Sequence, residues 1–346
     1  MAGVTSKEIA AHLGLSPSAV SFALNGKPGV SEETRRLVIS TAEKLGYNSA
    51  KLANAVNRRH RICFVFYVNK LVSIAENTTF SSFVLQGAEN AASAKGHSIM
   101  VKYVRAGEPI VKQLEDTANE ADGFIILGTD LNESSEAEMK EFYASVGGKP
   151  VVIIDSPMNY GFADCVINDN YGGAQMAAEY LLSRGLTKIG YLRAKHRISN
   201  FAQREAGLTM ALRNAGLELD TLIDVGVSFD EAFKRMADYL DTDGKLPEAF
   251  FAENDVIAAA ALRAMNAKGI SVPNQISVIG FDDIPICELS APALSTVHSF
   301  KEQLGETAVD ILLMKLGYFA TESGADERGC VTVSISTKLH IRESVK

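Results

Sequence analysis

The sequence contains no tryptophan and only four cysteines among its 346 residues. The cysteines are far apart, with neither C-x-x-C spacing nor a disulfide framework, so we expect them to be reduced residues of the core. They are Cys63, Cys165, Cys287 and Cys330. No apolar run approaches the ~20 residues of a membrane span, and the amino terminus carries no hydrophobic signal segment. The sequence therefore predicts a cytoplasmic protein without membrane contact.

Motifs that would indicate an enzyme are also missing. There is no G-x-S-x-G, P-loop or G-x-G-x-x-G pattern, and the six histidines are dispersed without metal-ligand spacing. The adjacent carboxylates Asp282 and Asp283 could in principle serve as acid and base, but neighbouring residues of an extended chain point apart. We therefore expect no catalysis, no metal and no cofactor.

The first forty residues or so carry explicit start and stop signals for short helices. Thr5 and Glu8 form a capping box, and Gly14 is a typical helix end. Ser16 is a good cap for a second helix, with Pro17 in its first turn. The sequence thus predicts two helices joined by a tight turn that contains a glycine.

A third helix is predicted to begin after Ser31, to end at Gly46 and to brace the other two. This arrangement is a helix-turn-helix, whose second helix reads the major groove of DNA. Capping and periodicity specify helices but not partners, so a small protein-docking bundle remains an alternative at this point. The outward positions of the second helix are Pro17, Ser18, Ser21 and Phe22.

The charge distribution favours DNA over a protein partner. Residues 1–61 hold nine Lys and Arg against four Glu, a net charge of +5. The whole chain has a net charge of −8, so the remainder carries −13. A basic head on an acidic body indicates a head that binds phosphates and a body that DNA repels.

The amino-acid sequence of the head is also similar to that of a known family. The segment VTSKEIAAHLGLSPSAVSFALNG, followed by VSEETRRLV and AEKLGY, resembles the DNA-binding head of the LacI/GalR family of bacterial transcriptional regulators. The resemblance implies a linker that folds as a hinge helix on DNA and inserts an apolar side chain into the minor groove. The DNA-binding residues that it implies are Thr5, Ser16, Pro17, Ser18, Ser21, Phe22, Asn25, Ser31, Tyr47, Ala53 and Val56.

Two of these positions depart from the family pattern. Val56 stands where the family inserts a leucine, and Phe22 stands where many relatives carry a basic residue. A phenylalanine cannot form a hydrogen bond with guanine but can touch a thymine methyl group. The operator preference of relatives therefore does not transfer to this chain.

Beyond residue 61, apolar runs alternate with amphipathic helices, which predicts parallel sheets covered on both faces. The predicted strands are 62–68, 98–103, 124–127 and 151–154, then 165–167, 188–192, 222–225, 249–251 and 276–279. The predicted helices are 80–95, 108–120, 136–145, 170–184, 200–214, 229–240, 255–268 and 300–316. The expected fold is α/β, with an N-terminal three-helix helix-turn-helix domain and a periplasmic-binding-protein-like core of two Rossmann-like parallel-sheet subdomains.

The expected domains are a helix-turn-helix at 1–47, a hinge at 48–61 and an effector-binding core at 62–346. Within the core, the N-subdomain is expected at about 62–160 and 295–323, and the C-subdomain at about 161–294 and 324–346. The return of the chain after residue 295 is implied by the resemblance. It places the helix 300–316 on the first subdomain and a strand 331–335 on the second.

Ligands of such sheets lie beyond the carboxyl ends of the strands, where several polar residues occur. A single Asp at a strand end is more often a cap or turn residue, but the set together favours a site. A carboxylate or guanidinium can hold two vicinal sugar hydroxyls in a bidentate contact. The effector-binding residues implied by the resemblance are Phe80, Asp155, Arg204, Phe229, Asn254 and Asp282.

These features predict a repressor whose affinity for its operator is controlled by a small carbohydrate. A purine corepressor is the alternative. It is less favoured than a carbohydrate because purine-binding members of the family use an additional Arg where this chain has Ile198. A sugar-binding protein without a DNA role is a less favoured alternative, because such a protein does not need a basic helical head. Paired operator half-sites imply a homodimer, and the chain lacks the leucine heptads that some members use to form tetramers.

Overall fold

The computed structural model of the protein describes residues 4–24, 29–47, 59–68, 78–132, 135–156, 161–242, 246–319 and 329–346. Its helices are α1 (Ser6–Leu13), α2 (Pro17–Leu24), α3 (Glu32–Lys44), α4 (Thr78–Ala94), α5 (Ile110–Gln113), α6 (Glu115–Glu120), α7 (Glu136–Ser145), α8 (Asn170–Ser183), α9 (Ser199–Asn214), α10 (Phe229–Leu240), α11 (Asp255–Ala267), α12 (Ile286–Leu289) and α13 (Lys301–Phe319). Its strands are β1 (Arg61–Val68), β2 (Ser98–Arg105), β3 (Gly123–Leu127), β4 (Val151–Ile154), β5 (Asp164–Asn168), β6 (Ile189–Ala194), β7 (Thr221–Val225), β8 (Ala249–Ala252), β9 (Ser277–Asp282), β10 (Ser295–His298), β11 (Thr332–Ile335) and β12 (Lys338–His340).

The helices α1 to α3 form the head, and their predicted caps are confirmed. The backbone N–H of Glu8 donates to Thr5 Oγ1, and the Glu8 carboxylate accepts from the Thr5 backbone at 2.7 Å. Ser16 Oγ accepts from the N–H of Ala19 at 3.0 Å, and Ser31 Oγ accepts from that of Thr34 at 3.1 Å. The head closes on a small apolar core of its own: Ile9, Ala10, Val20, Ala23, Leu24, Val38 and Ala42.

The rest of the chain forms two lobes, each built on a six-stranded sheet. The first sheet has the order β11-β5-β4-β3-β1-β2 and the second β12-β10-β9-β8-β6-β7. Every pairing is parallel except that of β10 with β12. No described helix is long and apolar enough to cross a membrane.

Strand β1 shows why the sequence of these strands is continuously apolar. Its residues 62, 64 and 66 pack into one core cluster, and residues 63, 65 and 67 pack into another on the opposite face. Because helices cover both faces of the sheet, neither set of side chains meets water. The second sheet is likewise enclosed between two apolar clusters.

The structure corrects the predicted assignment of two strands to lobes. The predicted strands at 165–167 and 331–335 were both expected on the second subdomain, but β5 pairs with β4 and β11 pairs with β5, all in the first sheet. Strands β10 and β12, which were not predicted, complete the second sheet. Pairing between segments more than 160 residues apart leaves no local signal in the sequence. The chain therefore crosses between lobes three times, at 168–170, 298–301 and 335–338.

Two smaller expectations also change. The helix predicted over 108–120 is divided into α5 and α6 at Leu114, whose backbone leaves the helical region with φ −111° and ψ 7°. Three of the cysteines are buried, as expected, but Cys330 is exposed. It precedes an edge strand of the first sheet, β11, where no layer covers it.

The helix after the second crossing returns to the first lobe, as predicted. A Cβ built on Gly87 of α4 would lie 2.0 Å from the carbonyl oxygen of Glu302, and one on Gly305 would lie 2.0 Å from that of Val84. Glycine at both positions therefore allows the backbones of α4 and α13 to touch. This contact anchors the returning helix on the lobe from which the chain had left.

Replacing Gly305 with Ala should force α4 and α13 apart, because the new methyl group would overlap a backbone carbonyl that cannot rotate away. Overpacking of this kind costs about 1 to 3 kcal/mol. We expect the midpoint of thermal unfolding to fall by several degrees. Gly329→Ala is the matched control, since a Cβ there meets nothing within 4 Å. Equal midpoints for the two variants would contradict this packing.

Candidate functional site

A cavity of about 710 Å³, including its opening to solvent, lies between the two lobes. Its polar walls come from residues at the carboxyl ends of β3, β4, β8 and β9 and from the first turns of α9, as expected for parallel sheets. Aromatic rings from β1, α4 and α9 supply its apolar surface. The lining residues are Phe66, Tyr67, Val68, Phe80, Ser81, Leu127, Thr129, Asp130, Asp155, Ile198, Asn200, Phe201, Arg204, Asn254 and Asp282.

Among the described residues of this lining, Arg204 is the only cation, and it is almost completely buried. Its Nε donates to Asn170 Oδ1 at 2.9 Å, and its Nη1 donates to the Glu253 carbonyl at 2.6 Å. Its Nη2 donates to Asp282 Oδ1 at 2.9 Å, and its guanidinium carbon lies 3.8 Å from the centre of the Phe281 ring. The guanidinium is thus fixed at the cavity wall by three elements of the second lobe.

Asp155 lies at the end of β4 in the first lobe and faces the second lobe, which contains Arg204. Its Oδ2 accepts a hydrogen bond from Thr129 Oγ1 at 2.7 Å, whereas no residue in the described part of the chain donates to its buried Oδ1. Burial raises the pKa of this carboxyl to about 6, an effect that the hydrogen bond from Thr129 and the charge of Arg204 partly oppose. An unpaired acceptor at the wall of a cavity is a group that a hydroxyl-bearing ligand can satisfy.

The other two predicted polar residues belong to the second lobe. Asn254 caps α11 by accepting from the N–H of Ile257 at 2.9 Å through its Oδ1, and the same residue also lines the cavity. Burial raises the pKa of Asp282, while the charge of Arg204 lowers it. The backbone of Asp282 is held by Lys301 Nζ, which donates to its carbonyl at 2.6 Å.

The backbone at these strand ends is unusual. Within the described residues, the non-glycine positions with positive φ are Asp155 at 62°, Asp282 at 108° and Asp283 at 57°. Such conformations cost roughly 1 to 3 kcal/mol for a non-glycine residue and persist where the surrounding structure enforces them. Asp155 and Asp282 line the cavity and Asp283 adjoins Asp282, so the strained backbone lies at the strand ends that form the cavity wall.

Two polar contacts span the opening between the lobes. Asn200 Nδ2 of the second lobe donates to the carbonyl of Asp155 in the first at 3.1 Å. His196 Nε2 lies 3.8 Å from Asp130 Oδ1 across the same opening. Both contacts join the two lobes across the opening, so movement of one lobe away from the other would break them.

The structure brings together five of the six residues expected at the effector site: Phe80, Asp155, Arg204, Asn254 and Asp282. Phe229 is not among the residues that line the cavity. It follows β7, the edge strand of the second sheet, and its ring packs 5.7 Å from the guanidinium carbon of Arg263.

Sequence reasoning missed several residues of the same wall. Phe66 and Tyr67 close β1, Thr129 follows β3, and Asn200 opens α9 one turn before Arg204. The rule that ligands lie at the carboxyl ends of parallel strands contains the signal that could have found them.

On the head, the predicted reading surface is open. Pro17 and Ser18 are exposed, Phe22 is 38% exposed and Ser21 is half-buried, while Val20 and Leu24 face the core. Arg35 of α3 donates to the carbonyl of Ala23 at 3.2 Å and thereby braces the end of α2. The remaining described candidates are the helix caps Thr5, Ser16 and Ser31, which are exposed, and the half-buried Tyr47. Asn25, Ala53 and Val56 lie outside the described residues.

The raised pKa of Asp155 predicts a pH-dependent stability. Folding takes up a proton at this group between its ordinary pKa of 3.8 and about 6, so its contribution to stability is lost as the pH rises through that interval. Asp155→Asn removes the buried charge and should stabilise the ligand-free protein above pH 6 by on the order of 2 to 3 kcal/mol. Thermal unfolding between pH 5 and 8 should show this gain shrinking towards pH 5.

The exposed Asp238 provides a control, because Asp238→Asn should give a midpoint curve parallel to that of the wild type. A constant difference between Asp155→Asn and the wild type at every pH would show that Asp155 is ionised throughout and that its pKa is not raised.

Comparisons with known proteins agree with this division into head and core. The family model described as bacterial regulatory proteins, lacI family, matches residues 5–49, and that of the periplasmic binding protein-like domain matches residues 178–345. The HTH-type transcriptional repressor PurR of Mannheimia succiniciproducens is 27% identical over 99% of this chain and 98% of its own length. The ribose operon repressor of Escherichia coli is 28% identical over 90% of this chain and 93% of its own. These relatives are repressors, in agreement with the expectation that the protein is not an enzyme.

Solved structures give the same fold. A transcriptional regulator CelR in complex with cellobiose matches with a TM-score of 0.69 and 24% identity over 99% of both chains. The lac repressor dimer bound to its operator and an anti-inducer matches with a TM-score of 0.69 and 22% identity over 99% of both chains. With a head of the lacI type and a two-lobed core of the periplasmic-binding-protein type in one polypeptide, the chain belongs to the LacI family of bacterial regulatory proteins.

Proposed function

We propose that the protein is a transcriptional repressor whose affinity for its operator is controlled by a carbohydrate in the cavity between the lobes. The observation that carries this proposal is the pairing of an exposed basic head with a cavity that presents an unpaired buried carboxylate oxygen. The first is suited to a phosphate backbone and the second to a ligand hydroxyl group. The relatives named as a ribose operon repressor and as a cellobiose complex support a sugar.

The head supplies the DNA contact in this proposal. The second helix, α2, enters the major groove with Ser18 and Phe22 towards the bases, while exposed cations such as Lys7 and Lys44 face phosphates. One short helix covers few base pairs. In this proposal a homodimer therefore provides the specificity, because its two-fold symmetry matches two paired half-sites on the DNA.

The cavity supplies the ligand specificity. Asp155, Arg204, Asn254 and Asp282 offer acceptors and donors for vicinal hydroxyls, and Phe66 and Phe80 offer flat apolar surfaces to a sugar face. A sugar in this position also satisfies the unpaired oxygen of Asp155.

A purine is the second candidate, since one relative is named as the repressor PurR. Two observations favour the carbohydrate. Ile198, which lines the cavity, stands where purine-binding members carry an Arg. The neighbouring Arg197 cannot replace it, because it is paired with Glu253 and Glu205.

Control of DNA binding follows from the position of the cavity between lobes. A ligand that binds one lobe orientation more tightly than another shifts their equilibrium by its difference in affinity. The contacts of Asn200 with Asp155 and of His196 with Asp130 are formed in one orientation and are lost on opening. A coupling of about 1 to 3 kcal/mol changes operator affinity 5- to 150-fold.

DNA reading is tested with full-length protein and duplexes selected from a randomised pool. Binding should weaken steeply with salt, with a slope of about −0.9 per phosphate contact on a double-logarithmic plot. Ser18→Ala and Phe22→Ala should change the preferred bases, because their side chains lie on the exposed face of α2. Ser40→Ala, on α3 with its hydroxyl bonded to the Leu37 carbonyl, is the control and should leave the preference intact.

Failure of the folded wild-type protein to bind any duplex in dilute buffer would sink the repressor proposal. Unchanged base preference in both α2 variants would instead show that this helix does not lie in the groove.

The ligand is sought by thermal shift with a panel of monosaccharides, disaccharides and purine bases. A ligand at a hundred times its dissociation constant stabilises the protein by ~2.7 kcal/mol. Arg204→Lys should abolish the shift, since an ammonium cannot hold Asn170, the Glu253 carbonyl and Asp282 together. Arg213→Lys, exposed on the same helix, should retain it. A purine hit with no sugar hit would overturn the carbohydrate assignment and leave the repressor assignment in place.

A further inference from the structure

Three metal-ligating side chains converge outside the cavity, at the ends of three neighbouring strands of the second sheet. Asp283 follows β9, His298 closes β10 and His340 closes β12. Both imidazole Nδ1 atoms lie 2.7 Å from the same oxygen, Oδ2 of Asp283. The two rings are stacked, with centroids 4.8 Å apart. Pairing of distant strands has thus assembled donors that show no metal spacing in the sequence.

The carboxylate in the middle of this cluster has a fixed orientation. Arg342 Nη2 lies 2.8 Å from Oδ1 of Asp283, which leaves Oδ2 to face the two imidazoles. Lys301 Nζ donates to the carbonyls of Asp282 and Asp283 at 2.6 and 3.1 Å and so fixes the backbone at this turn. Outer partners that orient a ligating carboxylate in this way are a regular feature of metal sites.

We propose that Asp283, His298 and His340 form a binding site for a divalent transition-metal ion of the zinc class. Two imidazoles and one carboxylate match the donor preference of Zn²⁺ and its neighbours, with water completing the coordination. Two donors at about 2.0 to 2.1 Å from such an ion lie about 2.9 to 3.4 Å apart. The present 2.7 Å separations therefore need to open by only a few tenths of an ångström, which small side-chain rotations provide.

Without an ion, each imidazole satisfies the carboxylate by donating its Nδ1–H. Binding transfers the ring proton of each neutral histidine to Nε2, so that Nδ1 becomes a ligand. The side chains of His298 and His340 are 23% and 35% exposed, which gives an ion access from solvent. The guanidinium of Arg342 opposes a cation here, and its neighbour Glu288, with Oε1 3.6 Å from Nη2, offsets part of that charge.

The place of the cluster in the fold gives an ion a regulatory consequence. His298 immediately precedes the second crossing between lobes, and His340 lies on the strand that follows the third. Asp283 adjoins Asp282 of the cavity wall. A bound ion would connect the ends of three strands next to two of the crossings and would thereby restrict movement of the lobes. This regulatory consequence rests on the proposed function, whereas the binding of the metal ion does not.

The test uses chelator-treated full-length protein titrated with Zn²⁺ by calorimetry and with Co²⁺ by visible absorption. We expect one saturable site per chain and ligand-field bands for Co²⁺. His340→Gln, which keeps a donor to Asp283, should weaken binding by about tenfold or more. His298→Gln is a second variant with the same expectation, in case the first does not fold. His12→Gln, exposed on the head, is the control and should bind as the wild type does.

Absence of saturable binding to the wild type would overturn the proposal. So would unchanged affinity in a folded His340→Gln or His298→Gln variant, since the ion would then lie elsewhere. Neither result bears on DNA binding or on the sugar, which are measured with metal-free protein.

Discussion

The guanidinium charge of Arg204 is buried in the second lobe, so its N–H donors require hydrogen-bond acceptors. An isolated guanidinium would destabilise the fold by several kcal/mol, so its position is stable only while Asn170, the Glu253 carbonyl and Asp282 hold it. These three partners come from the start of α8 and from the ends of β8 and β9. The packing of the second lobe and the shape of the cavity wall are consequently determined by the same set of hydrogen bonds.

Further contacts hold the backbone beside this set. Asp282 keeps a backbone conformation that is unfavourable for a non-glycine residue, and Lys301 holds its carbonyl from the crossing segment. Asp155 differs from Asp282, because none of the described residues donates a hydrogen bond to its buried Oδ1. On the opposite wall, no described residue donates to the buried Asn200 Oδ1, so each wall keeps one acceptor that a ligand hydroxyl group could satisfy.

Local features of the fold could be predicted from the sequence, and the caps of the head are the clearest example. Thr5, Ser16 and Ser31 act within three residues of themselves, so their patterns can be read directly. The register of apolar runs likewise located β1 and most helices within a few residues. These predictions depend only on neighbours in the chain.

Predictions that depend on distant pairing were less successful. Strand β11 was expected on the second lobe by resemblance, yet it pairs with β5 in the first. Phe229 was expected in the cavity by resemblance, but it is not among the lining residues and its ring packs near Arg263. The cluster of His298 and His340 could not be foreseen, since the antiparallel pairing of β10 with β12 is what brings the two rings together.

The three crossings between lobes have a consequence for how such a protein can be recombined. Each lobe is assembled from separated stretches of the chain, so exchanging one lobe for that of another protein requires three junctions in register. The head is a single contiguous stretch with a core of its own, and one splice suffices to transplant it. Recombination between genes can therefore exchange the head of such a protein far more readily than it can combine the lobes of two proteins.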